Sequence, residues 1–258
     1  MRFISSLFCS LSLLGILVQT SVAADVSSLP PSVKAPLASK SLLLDITHIG
    51  QEKLVVVGEH GHILLSTDGQ EWQQANVPVQ TTLTSVFFFN TQLGWAVGHD
   101  ATILHTKDAG LTWQVQQYKP ELEKPLLDIV FKSPLEGLAI GAYGLFFRTN
   151  DGGKTFSQLM TAYGSNGVHP DHHAFWGHPT NPHFIIEGND GGLNISLDRG
   201  KTWRFVENLP VAQFYHINYD MDWPYNVYGG MQDNGSWRGP AYIWRSGGIR
   251  NSYWDELA

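Results

Sequence analysis

Between Ser66 and Trp203 the chain writes one short motif four times, and that recurrence constrains its architecture more than any single residue. The copies are STDGQEW (66–72), TKDAGLTW (106–113), TNDGGKTF (149–156) and SLDRGKTW (196–203). Their aspartates, Asp68, Asp108, Asp151 and Asp198, lie 40, 43 and 47 residues apart, the length of one four-stranded propeller blade. Ten residues before each aspartate stands a glycine (Gly58, Gly98, Gly141, Gly188), closing a short apolar run: LVVVG, WAVG, LAIG and FIIEG. Runs of this kind, bounded by Gly and Asp, read as strands with tight turns. The expected fold is all-β: a β-propeller of about five four-stranded blades, incomplete or open.

The motif has a local chemistry. Its aspartate can accept hydrogen bonds from backbone N–H groups one or two residues on, and the Ser or Thr two positions earlier (Ser66 in the first copy) supports it. Gly110, Gly153 and Gly200 permit positive φ. The closing aromatic residue, Trp72, Trp113, Phe156 or Trp203, offers a broad apolar body to wedge between sheets. The four aspartates are thus expected to be structural staples. The first copy is one residue shorter from Asp68 to Trp72, which predicts a distorted turn there.

Residues 1–24 read as an export signal, with Arg2, an apolar stretch from Leu7 to Val18, and small residues at Ser21, Val22, Ala23 and Ala24. The protein is therefore expected in the periplasm, in the thylakoid lumen or outside the cell. The one cysteine, Cys9, falls inside that signal, so packing alone must hold the sheets. Residues 25–40, with three prolines, read as a flexible leader into blades expected at about 41–78, 79–121, 122–162, 163–210 and, in part, 211–258. A net charge of −7 and the lack of any Lys/Arg run argue against nucleic acid and anionic membranes as partners.

The text changes character after Tyr163. Residues 163–184 carry five histidines, and residues 214–254 hold eleven aromatic residues. Within a repeat array such a shift points to longer loops on one face, where binding tends to reside.

Three stretches, GEHGHILLSTDG, GWAVGHDATILHTKDAGLTW and GLAIGAYGLFFRTNDGGKTF, resemble the photosystem II stability and assembly factor family over about residues 42–156. The later stretches HPDHHAFW, GNDGGLNISLDRGKTW, LPVAQFYHI and YGGMQDNGSW resemble sortilin-type and glycosyl-hydrolase-like proteins built from bacterial neuraminidase repeats. The first resemblance implies a non-enzymatic binding protein whose partner is a membrane protein complex; family members usually close a ring of seven blades. The second leaves open a carbohydrate-active propeller that takes polysaccharide, or a receptor module for peptides.

Three groups of residues are candidates for function. His169, Asp171, His172 and His173 are the densest set of metal-ligand types, but adjacent histidines on a strand point to opposite faces, so no metal is assigned, and His172 and His173 are taken as binding residues. Asp190 and Asp233 follow apolar strands in glycine-rich turns, GNDGG and MQDNG. If the protein were a glycoside hydrolase, they would be its proton donor and nucleophile or base, as the weak resemblance to DxGG turns of xyloglucanase-type enzymes implies. Trp223, Tyr225, Trp237 and Trp244 could stack on sugars or anchor a protein, while alternation in FYHINYDMDW predicts that half of that segment's aromatics fill gaps between sheets. The sequence holds no GxSxG and no phosphate-binding glycine loop before a helix, and no cofactor is indicated.

Overall fold

The repeats fold into five antiparallel sheets of four strands, each sheet following chain order, over residues 43–74, 83–117, 126–158, 172–205 and 214–257. This is a computed structural model, and it describes residues 28–51, 53–159, 168–207, 209, 213–232, 235–244 and 248–257. Among the described residues there are short 3-10 turns and no α-helix. The architecture is the open β-propeller expected from the motif spacing, and its fifth blade, anticipated as partial, has four strands.

Alternation along the strands makes the blades stack, because successive side chains point to opposite faces. Val55, Val57, Ile63 and Leu65 of blade 1 meet Leu83, Val86, Ala96 and Leu104 of blade 2. Trp95, Val97 and Ile103 of blade 2 then meet Ala139 and Phe147 of blade 3, whose other face (Leu138, Ile140, Phe146) meets Ile185 of blade 4. Each closing aromatic of the motif packs back toward the preceding blade: Trp113 between blades 1 and 2, Phe156 between 2 and 3, Trp203 between 3 and 4. Among the described residues, blade 5 contributes to none of these clusters.

Among the described residues no blade precedes blade 1, and the leader covers that face. Ala35 and Ala38 pack with Trp72 over Val56 and Leu64. Ser32 N–H donates to Val77 O at 2.9 Å, Lys34 Nζ to Ala75 O at 2.6 Å, and Ala35 N–H to Gln74 Oε1 at 3.0 Å. The segment expected to be flexible is therefore a strap from Leu29 onward, since prolines reduce the entropy lost on ordering it and alanines fit close against the sheet.

The motif turns carry the expected bond from the Ser or Thr two positions earlier, while the backbone donors stand two to four residues after each aspartate rather than one or two. In blade 3, Asp151 accepts Thr155 Oγ1–H at 2.7 Å, Thr155 N–H at 2.9 Å and Thr149 Oγ1–H at 2.8 Å, and Asp198 repeats the set with Thr202 and Ser196. Those hydrogen bonds, the threonine hydroxyl foremost, hold both carboxyls down to about 2. Blade 1 differs as its short copy predicts. It has one left-handed residue, Gly69, where the others have pairs such as Gly152 and Gly153, and Asp68 accepts Gln70 and Glu71 N–H with no threonine hydroxyl.

The four equally spaced glycines do not occupy equivalent places. A Cβ on Gly58, Gly98 or Gly141 would lie 2.1 Å from a backbone carbonyl (Leu42, Thr82, Pro125) at the start of the first strand. In blade 4 the hairpin is one residue shorter, so Gly188 pairs with Leu193 where other blades pair Val57 with Ile63 and Val97 with Ile103, and Asn189 stands opposite His172 as Gly58 stands opposite Leu43.

A polar seam crosses the first strands of blades 1 to 4, where each of those strands carries a bulge. Asp45 Oδ2 accepts Val86 N–H at 2.8 Å and Asp128 Oδ2 accepts Phe175 N–H at 2.7 Å, each carboxyl reaching into the next blade. Ser85 Oγ lies 2.9 Å from Asp45 Oδ2 and 3.0 Å from Asp128 Oδ1. A serine hydroxyl has one proton to donate, so the two contacts are both hydrogen bonds only when a carboxyl supplies a second. Burial pushes the Asp128 carboxyl up, which makes it the better holder of that proton.

Two outcomes follow from this packing. Gly98→Ala is expected to cost about 3 kcal/mol, whereas Gly188→Ala, whose Cβ would meet only Leu193 Cδ2 at 3.6 Å, should cost under about 1 kcal/mol; urea unfolding of both variants measures the contrast. Because the folded state favours neutral Asp128, its contribution to stability is complete below the ordinary carboxylate range and is lost as pH rises through its raised value. Asp128→Asn stays neutral, so the wild-type advantage over this variant should shrink with rising pH across that window. A pH-independent difference in urea midpoints would show Asp128 titrating as an ordinary carboxyl.

Candidate functional site

The histidine-rich segment leads into the first strand of blade 4, His172–Gly177, and the bulge between His172 and Ala174 sends the two adjacent histidines apart. His172 is buried against Phe146, its Nδ1 2.7 Å from Glu187 Oε1. Glu187, with 0% exposure, also accepts Asn189 Nδ2–H at 2.8 Å and Asn194 Nδ2–H at 3.2 Å. Blades 1 to 3 place Val56 with Leu64, Ala96 with Leu104 and Ala139 with Phe147 where blade 4 pairs Glu187 with Asn194. An apolar layer has become a polar one. Three donors satisfy the carboxylate, which is what a fully buried acid requires.

His173 points to solvent, and its Nε2 lies 2.6 Å from Asp190 Oδ1 in the following hairpin turn. Asp190 N–H in turn donates to Asp171 O at 3.2 Å, and Asp171 N–H donates to His169 Nδ1 at 3.3 Å. His169, Asp171, His173 and Asp190 thus form one chain of contacts at the entrance of blade 4, with His172 on the other side of the strand. Chemically, His173 and Asp190 make an exposed imidazole–carboxylate pair, suited to hydrogen-bonding a polar partner. Asp233, the second acid of the expected pair, lies outside the described residues.

Blade 5 carries the aromatic segment. Trp223 is 89% exposed and Trp244 76%, Tyr225 is exposed against Tyr219 at 6.0 Å between centroids, and Trp237 is half-buried. Tyr242 stands edge-on to Trp244 at 5.1 Å. The expected alternation of filled and open positions is absent: on the strand Phe214–Tyr219, Tyr215, Ile217 and Tyr219 are exposed, and so are His216 and Asn218 on the opposite face. Period-two patterning buries residues only where another sheet lies over the face, and here none does among the described residues.

Two features were not singled out from sequence. Glu187 interrupts the apolar run FIIEG, a polar residue inside a strand read as buried, and that interruption was the available signal. Asp220 accepts from Asn226 N–H and Nδ2–H and from Tyr228 O–H at 2.7 to 2.9 Å, which fixes the hairpin beneath Trp223. These bonds, the Asn226 side chain foremost, hold its carboxyl well below the usual carboxylate range.

Residues 27–123 match the family described as "Photosynthesis system II assembly factor YCF48". A photosystem II assembly protein Ycf48 of Synechococcus sp. (strain JA-2-3B'a(2-13)) is 46% identical over 54 residues, which are 20% of this chain and 16% of that protein. The matched stretch is thus a small part of the relative's length. Among solved structures, "YCF48 bound to D1 peptide" is 18% identical with a TM-score of 0.43, covering 78% of this chain and 91% of that one. An ancestral GH74 enzyme is 12% identical with a TM-score of 0.52, covering 84% of this chain and 38% of its own, a likeness of fold alone. Over residues 27–123 the chain is thus similar in sequence to the photosynthesis system II assembly factor family.

Proposed function

We propose that this protein is an exported, non-enzymatic binding protein that helps a membrane protein complex to assemble or stay intact. The observation that carries the reading is the match of residues 27–123 to the assembly factor family. On this reading residues 1–24 direct export, to the thylakoid lumen in a photosynthetic host or otherwise to the periplasm or the outside. The stacked blades are a rigid scaffold, and the partner docks on blade 5 through Trp223, Tyr225 and Trp244, with half-buried Trp237 beside them and the exposed His173–Asp190 pair of blade 4 as a further polar contact. Exposed Trp and Tyr supply large contact area for little lost side-chain freedom, which is why such residues anchor interfaces.

Fluorescence anisotropy with a labelled D1 peptide, beside affinity capture from detergent-solubilised membranes, tests the proposal. Saturable binding is expected, weakened roughly thirtyfold by Trp223→Ala or Trp244→Ala if either is an interface anchor. Absence of both peptide binding and reproducible capture of a membrane complex would overturn it. Turnover of a polysaccharide by the wild type, lost in Asp190→Asn, would replace it with the carbohydrate-active reading.

A further inference from the structure

A second feature lies away from blade 5, in a cleft of about 400 Å³ between blades 3 and 4. Lys132, Arg148, Arg199 and Lys201 line it with Glu136 and Asp198, a surplus of two positive charges on a chain whose net charge is −7. Much of that charge is fixed in place. Arg199 has left-handed backbone, donates through Nη1 to Glu136 at 3.0 Å, and accepts Arg148 Nη2–H on its carbonyl. Asp198 is committed to its own turn by Ser196 and Thr202.

The cleft is short of acceptors. Arg199 Nε is buried without a hydrogen-bond partner, and the side-chain amine of half-buried Lys132, Nζ, lies over the backbone of Gly177 with no hydrogen-bond or ion-pair partner among the described residues. Burial pushes the Lys132 amine down, the sign of a cation held away from water without a counter-charge. A cation so placed costs stability unless an anion joins it.

We infer that this cleft is a binding site for a phosphate monoester, whose oxygens supply the acceptors that Lys132 and its neighbours lack. A phosphate monoester carries about −1.5 to −2 charges near neutral pH, which matches the surplus, and a carboxylate would leave part of it uncompensated. The cavity is roomier than one inorganic phosphate needs, so the ester's organic part lies within it. That part belongs to a free small molecule or to a phosphorylated side chain of a partner. The exposed imidazole of His183 stands at the same cleft and offers a further hydrogen-bonding nitrogen. The site is independent of the docking surface on blade 5.

Amide chemical shifts of the ¹⁵N-labelled protein, followed at Gly137, Thr149, Asn150 and Gly177 during titration with O-phosphoserine, inorganic phosphate or a phosphoserine peptide, test the inference. Saturable shifts are expected with both esters, with dissociation constants raised about tenfold in Lys132→Met and unchanged in the remote Lys40→Ala. Tighter binding of the peptide than of O-phosphoserine identifies a partner's side chain as the source, and equal binding a free metabolite. Should Lys132→Met fail to fold, Lys201→Ala at the rim is expected to weaken binding several-fold. No saturable shift at these amides, or equal affinity in the cleft variants and the wild type, overturns the inference.

Discussion

A four-stranded sheet has two faces and can bury neither by itself, and every other feature of this protein follows from how each face finds a cover. Blades 1 to 4 solve the problem pairwise, with apolar layers such as Val57 and Ile63 against Leu83 and Val86, and an aromatic wedge closing each joint. Repeats stacked in this way share their stability with nearest neighbours. The bulged first strands add a polar thread through the joints, where Asp45 and Asp128 bind the backbone of later blades. Position along the array therefore decides how a residue behaves: Trp113 is buried because blade 1 precedes it, while Tyr215 and Ile217 are open because nothing described lies over them.

Much of the fold was legible because the motif turn is local. The bonds of Asp151 to residues 149 and 155 need only a few neighbouring residues, so the motif alone marked the aspartate as a staple and Thr149 as its support, although its backbone donor lies four residues on rather than one or two. Non-local features were not legible in the same way. Counting back ten residues from each aspartate treats Gly188 as the partner of Gly98, but one residue fewer in the hairpin moves Asn189 into that place. Leader prolines suggested looseness, yet the empty face of blade 1 gave Ala35 and Ala38 somewhere to pack.

The candidate site shows the same division. That His172 and His173 would face opposite ways followed from strand geometry alone, and their partners, Glu187 in a buried layer and Asp190 in a turn, depended on pairings between strands. The aromatic residues of blade 5 were visible as composition, but their exposure was not, since alternation reports burial only after a covering sheet is known. Basic residues were scattered in sequence without a run. Folding collects Lys132, Arg148 and Arg199 from two blades into one cleft.

The strap over blade 1 also has a consequence for how the chain is handled. Val56 and Leu64 are kept from water by Ala35 and Ala38 as well as by Trp72. A chain shortened to begin at Ser41 would keep all five sheets intact yet bare an oily patch on its first one, beside Leu44 and Ile46, which are already exposed. Such a patch seeks a mate. The same segment that looks dispensable on paper is thus what keeps the leading end of the array from sticking to its neighbours in solution.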